Sequence, residues 1–200
     1  MKSKFDPQKH HRKSIRLKGY DYSSEGAYYV TIVVHGRECL FGEIVNGEMI
    51  LNEYGKIVQK WWDEIPIHFS NVELGAFVIM PNHIHGIIFI ISERRGEVIS
   101  PRDNPNHNNQ NTNVDETEKL GAETAPLRKP TLGQIIAYFK YQSTKEMNKI
   151  ETKDAITKFW QRNYYEHIIR DEKDLQSKTD YININPSLWD EDDNNPKNNL

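Results

Sequence analysis

The chain has 200 residues, a net charge of −3 and a single cysteine, Cys39. This length suits one domain with a substantial core. The lone cysteine excludes a disulfide framework and a cysteine-based zinc cluster. No apolar stretch is long enough for a membrane span, and the first residues lack the apolar segment of a signal peptide, so we expect a cytoplasmic protein.

The charge is distributed unevenly. Residues 1–20 hold seven lysines and arginines against one acidic residue. We predict that residues 1–13 form a flexible basic arm and that residues 190–200 form an acidic, disordered tail. Local fields govern contacts with nucleic acid more than the total charge does, so the arm is compatible with a polyanionic partner.

The first half of the chain predicts strands, a hairpin and a helix. Residues 27–34 are rich in β-branched and aromatic side chains, which is typical of a strand. Residues 41–45 and 48–51 flank Asn46-Gly47, a strong hairpin signal. Amphipathic spacing then predicts a helix over residues 52–64.

A second long strand is predicted over residues 72–80, and Pro81-Asn82 separates it from a very apolar strand that begins at His83. Residues 92–130 contain an asparagine-rich stretch that is nearly free of apolar side chains. Such a composition cannot support a core, so we predict a disordered insertion within a single domain of residues 14–189.

The second half predicts two more helices. Thr131 is a plausible N-cap of a helix that reaches residue 148. Residues 159–169 are predicted to be extended, and Asp171 to cap a last helix that ends near Asn185, because proline follows there. This order of elements predicts an α+β fold with helices on a mostly antiparallel sheet, and a ferredoxin-like arrangement is the natural candidate.

His83 and His85 are the most informative residues of the sequence. Side chains two apart on a strand point to the same face, so the two imidazoles converge. The surrounding isoleucines predict a central, buried strand, where a pair of imidazoles is costly unless something satisfies it. A divalent metal would do so, and hydrogen-bonded core histidines are the alternative.

A metal site needs a further donor, and a phosphoryl transfer needs a nucleophile. The last predicted helix offers Tyr181 and Asn185 on one face, one turn apart. Asn185 could give a carbonyl oxygen to Mg²⁺ or Mn²⁺, and a tyrosine phenol can attack phosphorus. Spacing alone does not select Tyr181 from the ten tyrosines of the chain.

Two motifs together resemble a known family. PNHIHG, followed by an apolar strand, and WQRNYYEHIIRDEKDLQSKTDYININP resemble the REP-associated tyrosine transposases. These belong to the HUH superfamily of single-strand DNA transposases and nucleases, which is named for a histidine–hydrophobe–histidine motif. The segments KSIRLKGYDYS and ECLFGEI also look like the start of this family, and the resemblance covers about residues 12–95 and 131–189.

The resemblance implies a ferredoxin-like HUH domain and assigns roles to residues. Tyr181 would be the nucleophile, while His83 and His85 would bind Mg²⁺ or Mn²⁺. Asn185 falls where related transposases have a glutamine ligand, and its side chain is one methylene shorter. His167 also matches a family position, and we expect a structural role for it, bonded to backbone, slightly ahead of a catalytic or DNA-contacting one.

The implied activity is cleavage and joining of single-stranded DNA that forms REP-like hairpins, through a 5′-phosphotyrosine. We expect a monomer rather than a dimer, in the cytoplasm and at the nucleoid when DNA is bound. Basic side chains expected to contact DNA are Arg12, Lys13, Arg16, Lys18, Lys140 and Arg162.

The sequence is also compatible with two alternative functions. One is a regulator without catalysis that keeps the fold and binds hairpin DNA. The other is an unrelated metal hydrolase or cupin-like oxygenase, which the residues after His85 disfavour because no aspartate, glutamate or further histidine follows closely.

Overall fold

A computed structural model describes residues 16–92, 129–150 and 158–199. The predicted basic arm and most of the predicted insertion lie outside these described residues. The strands are β1 (Gly26–Val33), β2 (Gly42–Val45), β3 (Glu48–Leu51), β4 (Val72–Met80), β5 (His83–Ile90) and β6 (Tyr165–Ile169). The helices are α1 (Glu53–Asp63), α2 (Ile65–His68), α3 (Leu132–Ile150) and α4 (Glu172–Ile184).

Four strands form the main sheet in the order β4-β5-β1-β6, and every neighbouring pair is antiparallel. Helix α1 lies between β1 and β4 in the chain, and α3 lies between β5 and β6. This is the βαββαβ order of a ferredoxin-like fold, so the predicted fold class is confirmed. Strands β2 and β3 form a separate hairpin around Asn46-Gly47, whose positive φ angles of 53° and 79° suit a type I′ turn.

One face of the sheet packs against α1 and α3. The side chains that build this core include Val30, Ile84, Ile88, Trp62 and Phe139, all of which are buried. Val30, Ile84 and Ile88 alternate along their strands with residues of the opposite face, as the two-residue repeat of a strand requires. Burial of these apolar side chains is the main stabilising term of the fold.

Helix α4 covers the other face, where the apolar cluster is much smaller. Its buried members are Tyr29 of β1, Ile87 of β5 and Ile182 of α4. Towards the start of β5, the same face carries the two histidines. The fold therefore places polar chemistry between α4 and the sheet, while the opposite face is a hydrophobic core.

The helix ends follow the signals in the sequence. The Asn52 side chain accepts a hydrogen bond from the Gly55 amide at the start of α1, and Asp171 accepts one from the Asp174 amide at the start of α4. At α3, Thr131 and Gln134 bond reciprocally as a capping box. Within the part of the chain that the structure describes, no helix combines the length and apolar character needed to cross a membrane.

The C-terminal acidic segment differs from the expectation of a disordered tail. A 3-10 helix over Asn185–Glu191 follows α4, and Asp192 and Asn195 are buried. Asparagine side chains hold the turns: Asn195 donates to the Trp189 carbonyl, and Asn198 donates to the carbonyls of Asp190 and Asp192. Acidic and asparagine residues here serve as turn formers, which bond to nearby backbone, rather than as a solvated charge run.

Candidate metal and nucleophile site

Strand β5 positions the two histidines. Val33 at the end of β1 pairs with His83, and Thr31 pairs with His85. On the other side, Met80 of β4 pairs with His83. The predicted central location is thus confirmed, and both imidazoles point to the α4 side because Ile84 between them points to the hydrophobic core.

The tautomer of His83 is fixed by its neighbour. The Asn82 amide nitrogen donates to the carbonyls of Arg37 and Asn194, at 3.0 and 2.8 Å. Its Oδ1 therefore faces His83 Nδ1, 2.8 Å away, and must accept a proton from it. The Nε2 atom of His83 consequently presents a lone pair to the site.

The ring of His85 faces this lone pair of His83. Its Nε2 lies 3.0 Å from the Nε2 atom of His83. Its Nδ1 lies 2.7 Å from the Tyr29 hydroxyl and 2.9 Å from the Thr31 hydroxyl. A hydroxyl can donate or accept, so His85 is satisfied in either tautomer: it can donate to His83, or it can offer a second lone pair to a cation.

Asp192 supplies an acidic group to the same place. Its Oδ2 atom lies 3.7 Å from His83 Nε2, and one donor atom from each of the three residues falls within 4.8 Å of the others. Two imidazoles and a carboxylate suit a divalent transition metal or Mg²⁺. Asp192 was not predicted from the sequence, because it follows the 3-10 helix after α4 and approaches the histidines only through the folded chain.

Both histidines are neutral in the folded protein. Burial lowers the pKa of His83 to about 3, and the positive charge of Arg37 acts in the same direction. Burial also lowers the pKa of His85 to about 3, and His83 adds to this, while Asp192 opposes it. Neutral imidazoles are the form that binds metal, so the pair does not need to lose protons first.

Asn185 directly follows α4, is buried, and has a side chain that bonds to the Tyr181 phenol. Its Oδ1 atom has no hydrogen-bond partner among the described residues. An unsatisfied buried carbonyl oxygen is costly, and a cation is one way to satisfy it. The residues present therefore fit a divalent ion, with Asn185 and Asp192 as candidates for the ligands beside the two imidazoles.

Tyr181 of α4 stands over the histidines. Its ring centroid is 5.3 Å from that of His85, and 40% of the residue is exposed to solvent. Burial raises the pKa of its phenol, and the charges of Asp192 and Asp193 raise it further, while the Asn185 side chain lowers it. A half-exposed phenol beside an imidazole pair can reach a substrate from solvent.

Two Haemophilus influenzae proteins are similar to this chain in sequence. A Haemophilus influenzae protein of uncharacterised function is 42% identical over 194 residues, covering 96% of this chain and 97% of the relative. A second H. influenzae protein, provisionally named a REP-associated tyrosine transposase, is 26% identical over 173 residues, covering 83% of this chain and 73% of the relative. No family model matches the chain.

A solved structure of the REP-associated tyrosine transposase bound to a REP hairpin shares the fold. Its TM-score is 0.53 at 17% identity, and the match covers 86% of this chain and 72% of that one. The chain is therefore similar in sequence and in fold to REP-associated tyrosine transposases. The resemblance predicted from its two motifs is thereby confirmed.

Within this transposase-like domain, Tyr29 occupies a central position that sequence reasoning missed. Its ring stacks on His85 at 5.6 Å and contacts the ring of Tyr181 edge-on at 6.3 Å. The Lys178 ammonium lies 5.3 Å from the centre of the Tyr29 ring. The only sequence signal was the alternation of β1, which puts Tyr29 and Thr31 on one face.

His167 lies on β6 opposite Tyr29 in the register. Its Nε2 atom is 2.7 Å from the Asp174 carboxylate in the first turn of α4. This bond lowers the pKa of Asp174. This contact joins β6 to the helix that carries Tyr181, which agrees with a structural role for His167. Its partner is a carboxylate and not the expected backbone group.

The basic residues predicted to contact DNA are spread over the domain. Arg12 and Lys13 lie outside the described residues, while Lys18 and Arg162 are exposed. Arg16 donates to the Tyr164 hydroxyl and lies 3.8 Å from the Glu166 carboxylate.

Lys140 departs from the expected surface cation. It is only partly exposed on α3 and donates to the carbonyls of Gln161 and Asn163, at 2.9 and 3.1 Å. Burial lowers its pKa to about 8. The geometry supports a role in holding the segment before β6, because both of its hydrogen bonds already lie within the domain.

Proposed function

We propose that this protein is a metal-dependent endonuclease and strand transferase for single-stranded DNA. The observation that carries the proposal is the placement of Tyr181 above His85, whose Nε2 atom shares one small space with His83 and Asp192. A potential nucleophile and a potential metal site thus meet at one end of the sheet. Sequence similarity to a protein provisionally named a REP-associated tyrosine transposase supports the same conclusion.

His83 and His85 would hold a divalent ion together with Asp192, Asn185 or both. Mg²⁺ and Mn²⁺ are the candidates, since the side chains of Asp192 and Asn185 offer the oxygen donors that suit both ions. When bound, the ion would supply positive charge that polarises the scissile phosphate and offsets the Asp192 carboxylate. Tyr29 and Thr31 would orient His85 through its other ring nitrogen.

Tyr181 would carry the chemical step. Its phenolic oxygen loses a proton and attacks the scissile phosphorus, and the bond from phosphorus to the 3′ oxygen breaks. The leaving oxygen takes up a proton and becomes a 3′-hydroxyl, while the 5′ side of the DNA stays linked to Tyr181. Attack by another 3′-hydroxyl reverses these bonds and joins strands without ATP.

We further propose that the DNA is a hairpin with a single-stranded flank. A structural relative is described as bound to a REP hairpin, and a shared fold makes a similar ligand a reasonable proposal. Phosphate contacts would come from Lys18 and Arg162, which are exposed, and from Arg12 and Lys13. The protein would act as a monomer in the cytoplasm, at the nucleoid.

Labelled single-stranded DNA from the flanks of the protein's own gene tests this proposal. Incubation with Mg²⁺ or Mn²⁺ should give a cleaved strand and a covalent protein–DNA complex, and a chelator should abolish both. Tyr181→Phe should bind the DNA without cleaving it. The matched control is Tyr141→Phe, an exposed tyrosine of α3 whose variant should still cleave.

Binding without cleavage under all metal conditions would instead favour the hairpin-binding regulator. Cleavage that persists in Tyr181→Phe would contradict the proposed nucleophile, because the substitution removes only one oxygen atom.

A further inference from the structure

We propose that Tyr165 and Lys178 form a subsite for one unpaired nucleotide of the DNA strand next to the scissile phosphate. The base would stack on the Tyr165 ring, and the Lys178 ammonium would pair with a backbone phosphate. This inference rests on the proposed function, since it names how the same site receives its substrate.

Tyr165 is in register with the histidines. It pairs with Thr31 of β1, which pairs on its other side with His85 of β5. The three residues form one row across the sheet, and they face the same side because directly paired residues share a face. With strands about 4.8 Å apart, the backbones of Tyr165 and His85 are separated by roughly 10 Å.

The Tyr165 ring contacts Tyr29 and is also exposed to solvent. Its centroid lies 6.3 Å from that of Tyr29, at an interplanar angle of 71°. This edge-on contact fixes the orientation of the ring, yet 51% of the residue stays exposed. The residue is at the start of β6, an edge strand that pairs only with β1 among the described strands.

Lys178 provides a cation on the same side. It lies on α4, three residues before Tyr181, so both side chains project from one face of the helix. Its ammonium sits over the Tyr29 ring, 5.3 Å from the centroid, and Tyr29 touches both Tyr165 and Tyr181. One buried ring thus links the proposed nucleophile, the exposed aromatic residue and the cation.

This combination suits a nucleotide of single-stranded DNA. Every base has a π-face, and stacking of a base on an aromatic side chain is typical of single-strand binding and tolerates any sequence. In duplex DNA the base faces are already stacked on one another, so the subsite would select an unpaired nucleotide. A cation beside the ring then supplies the phosphate contact that positions the strand.

A crosslinking experiment locates the base directly. The wild-type protein is mixed with short oligo(dT) that carries one 5-iododeoxyuridine, with a chelator present so that no cleavage occurs, and is irradiated. The crosslinked peptide should contain Tyr165. Because this readout does not depend on catalysis, it is separate from the cleavage test of the proposed function.

Affinity measurements use matched variants. Tyr165→Ala should weaken oligo(dT) binding at least fivefold, and Tyr165→Phe should stay within about twofold, because the ring remains. The control is Tyr141→Ala, which removes a tyrosine that is 63% exposed on α3 and should leave binding unchanged. Lys178→Met should reduce the slope of log affinity against log salt by about one unit, and Lys178→Arg should preserve it.

Two results would overturn the subsite. One is a crosslink that maps away from Tyr165 in the wild-type protein. The other is wild-type affinity in Tyr165→Ala. Loss of cleavage with Mg²⁺ while the crosslink persists would contradict the proposed function and leave the nucleotide subsite standing.

Discussion

The two faces of the main sheet use the same strands for opposite purposes. On the face beneath α1 and α3, β5 contributes Ile84 and Ile88 to a large hydrophobic core. On the face beneath α4, the same strand contributes His83 and His85 to a buried polar cluster. One strand thus carries both the stability of the fold and the candidate chemistry.

This difference explains why a costly site can exist in a small domain. Neutral imidazoles and a buried carboxylate stabilise the fold poorly unless they are paired. The apolar face supplies the burial that stabilises β5, so the polar face need not do so. We therefore expect substitutions on the two faces to affect different properties.

Substitutions at adjacent positions of β5 should give the largest difference between effects on cleavage and effects on stability. His83→Ala and His85→Ala should each abolish metal-dependent cleavage, because each removes a proposed ligand. Ile84→Val lies between them on the other face and should cost about 0.5–1.5 kcal/mol of unfolding free energy without loss of cleavage. Calorimetry with Mn²⁺ and denaturant unfolding measure the two effects. Unchanged Mn²⁺ affinity in the double histidine variant would return these residues to the role of core histidines.

A second comparison distinguishes the two candidate oxygen ligands. Asp192→Asn keeps the shape of the side chain but removes its charge, whereas Asn185→Ala removes the orphaned carbonyl oxygen. Loss of a group that only hydrogen-bonds to a metal ligand commonly lowers metal affinity 10–100-fold. Loss of the ligand itself should therefore lower the affinity roughly tenfold or more. Titration with Mn²⁺ ranks the two residues. If neither variant changes the affinity, both residues lie outside the coordination sphere.

Gly86 tests the apolar face at close range. A Cβ atom at this position would lie 2.3 and 2.5 Å from ring atoms of Trp62 in the core. Gly86→Ala should therefore destabilise the fold by about 1–3 kcal/mol through overpacking. Gly19→Ala is not a suitable control because its φ is +81°, so the comparison is Ile84→Val, which creates a small gap instead. Unchanged unfolding free energy in Gly86→Ala would show that Trp62 moves aside freely.

The smallest expected effect is a pH dependence of stability in the absence of metal. The folded pKa of each histidine lies near 3, below the ordinary value of 6.5. The unfolded chain takes up protons first, so this contribution is fully present above pH 6.5 and is lost as the pH falls towards 3. With a chelator present, the unfolding temperature of the wild type should fall more steeply between pH 7.5 and about 5 than that of a His83→Gln/His85→Gln variant. Parallel curves would contradict the assignment of neutral, buried imidazoles.

Much of the fold could be predicted from local signals in the sequence. The turn at Asn46-Gly47 and the caps at Asn52, Thr131 and Asp171 depend on a few neighbouring residues, and the structure has elements within two residues of the predicted bounds. The extended stretch over residues 159–169 was less accurate. Strand β6 begins only at Tyr165, and Trp160 forms an isolated bridge to Val34.

From the residue pattern alone, the sequence predicts only those site residues whose position follows from the alternation of side chains along a strand. His83 and His85 share a face by their spacing, and the family resemblance added Tyr181. Asp192 could not be found in this way, because its position depends on a chain reversal through the 3-10 helix after α4. Lys178 and Tyr29 meet through packing of α4 on the sheet, which no short-range pattern in the sequence encodes.

The most direct test of the central claim is the identity of the residue that becomes linked to DNA. The protein is incubated with Mn²⁺ and single-stranded DNA from the flanks of its gene, digested, and analysed by mass spectrometry. We expect a phosphotyrosyl peptide that contains Tyr181. This peptide should be absent when a chelator is added and absent in Tyr181→Phe. A nucleotide adduct on Tyr164 or Tyr165 instead would contradict it.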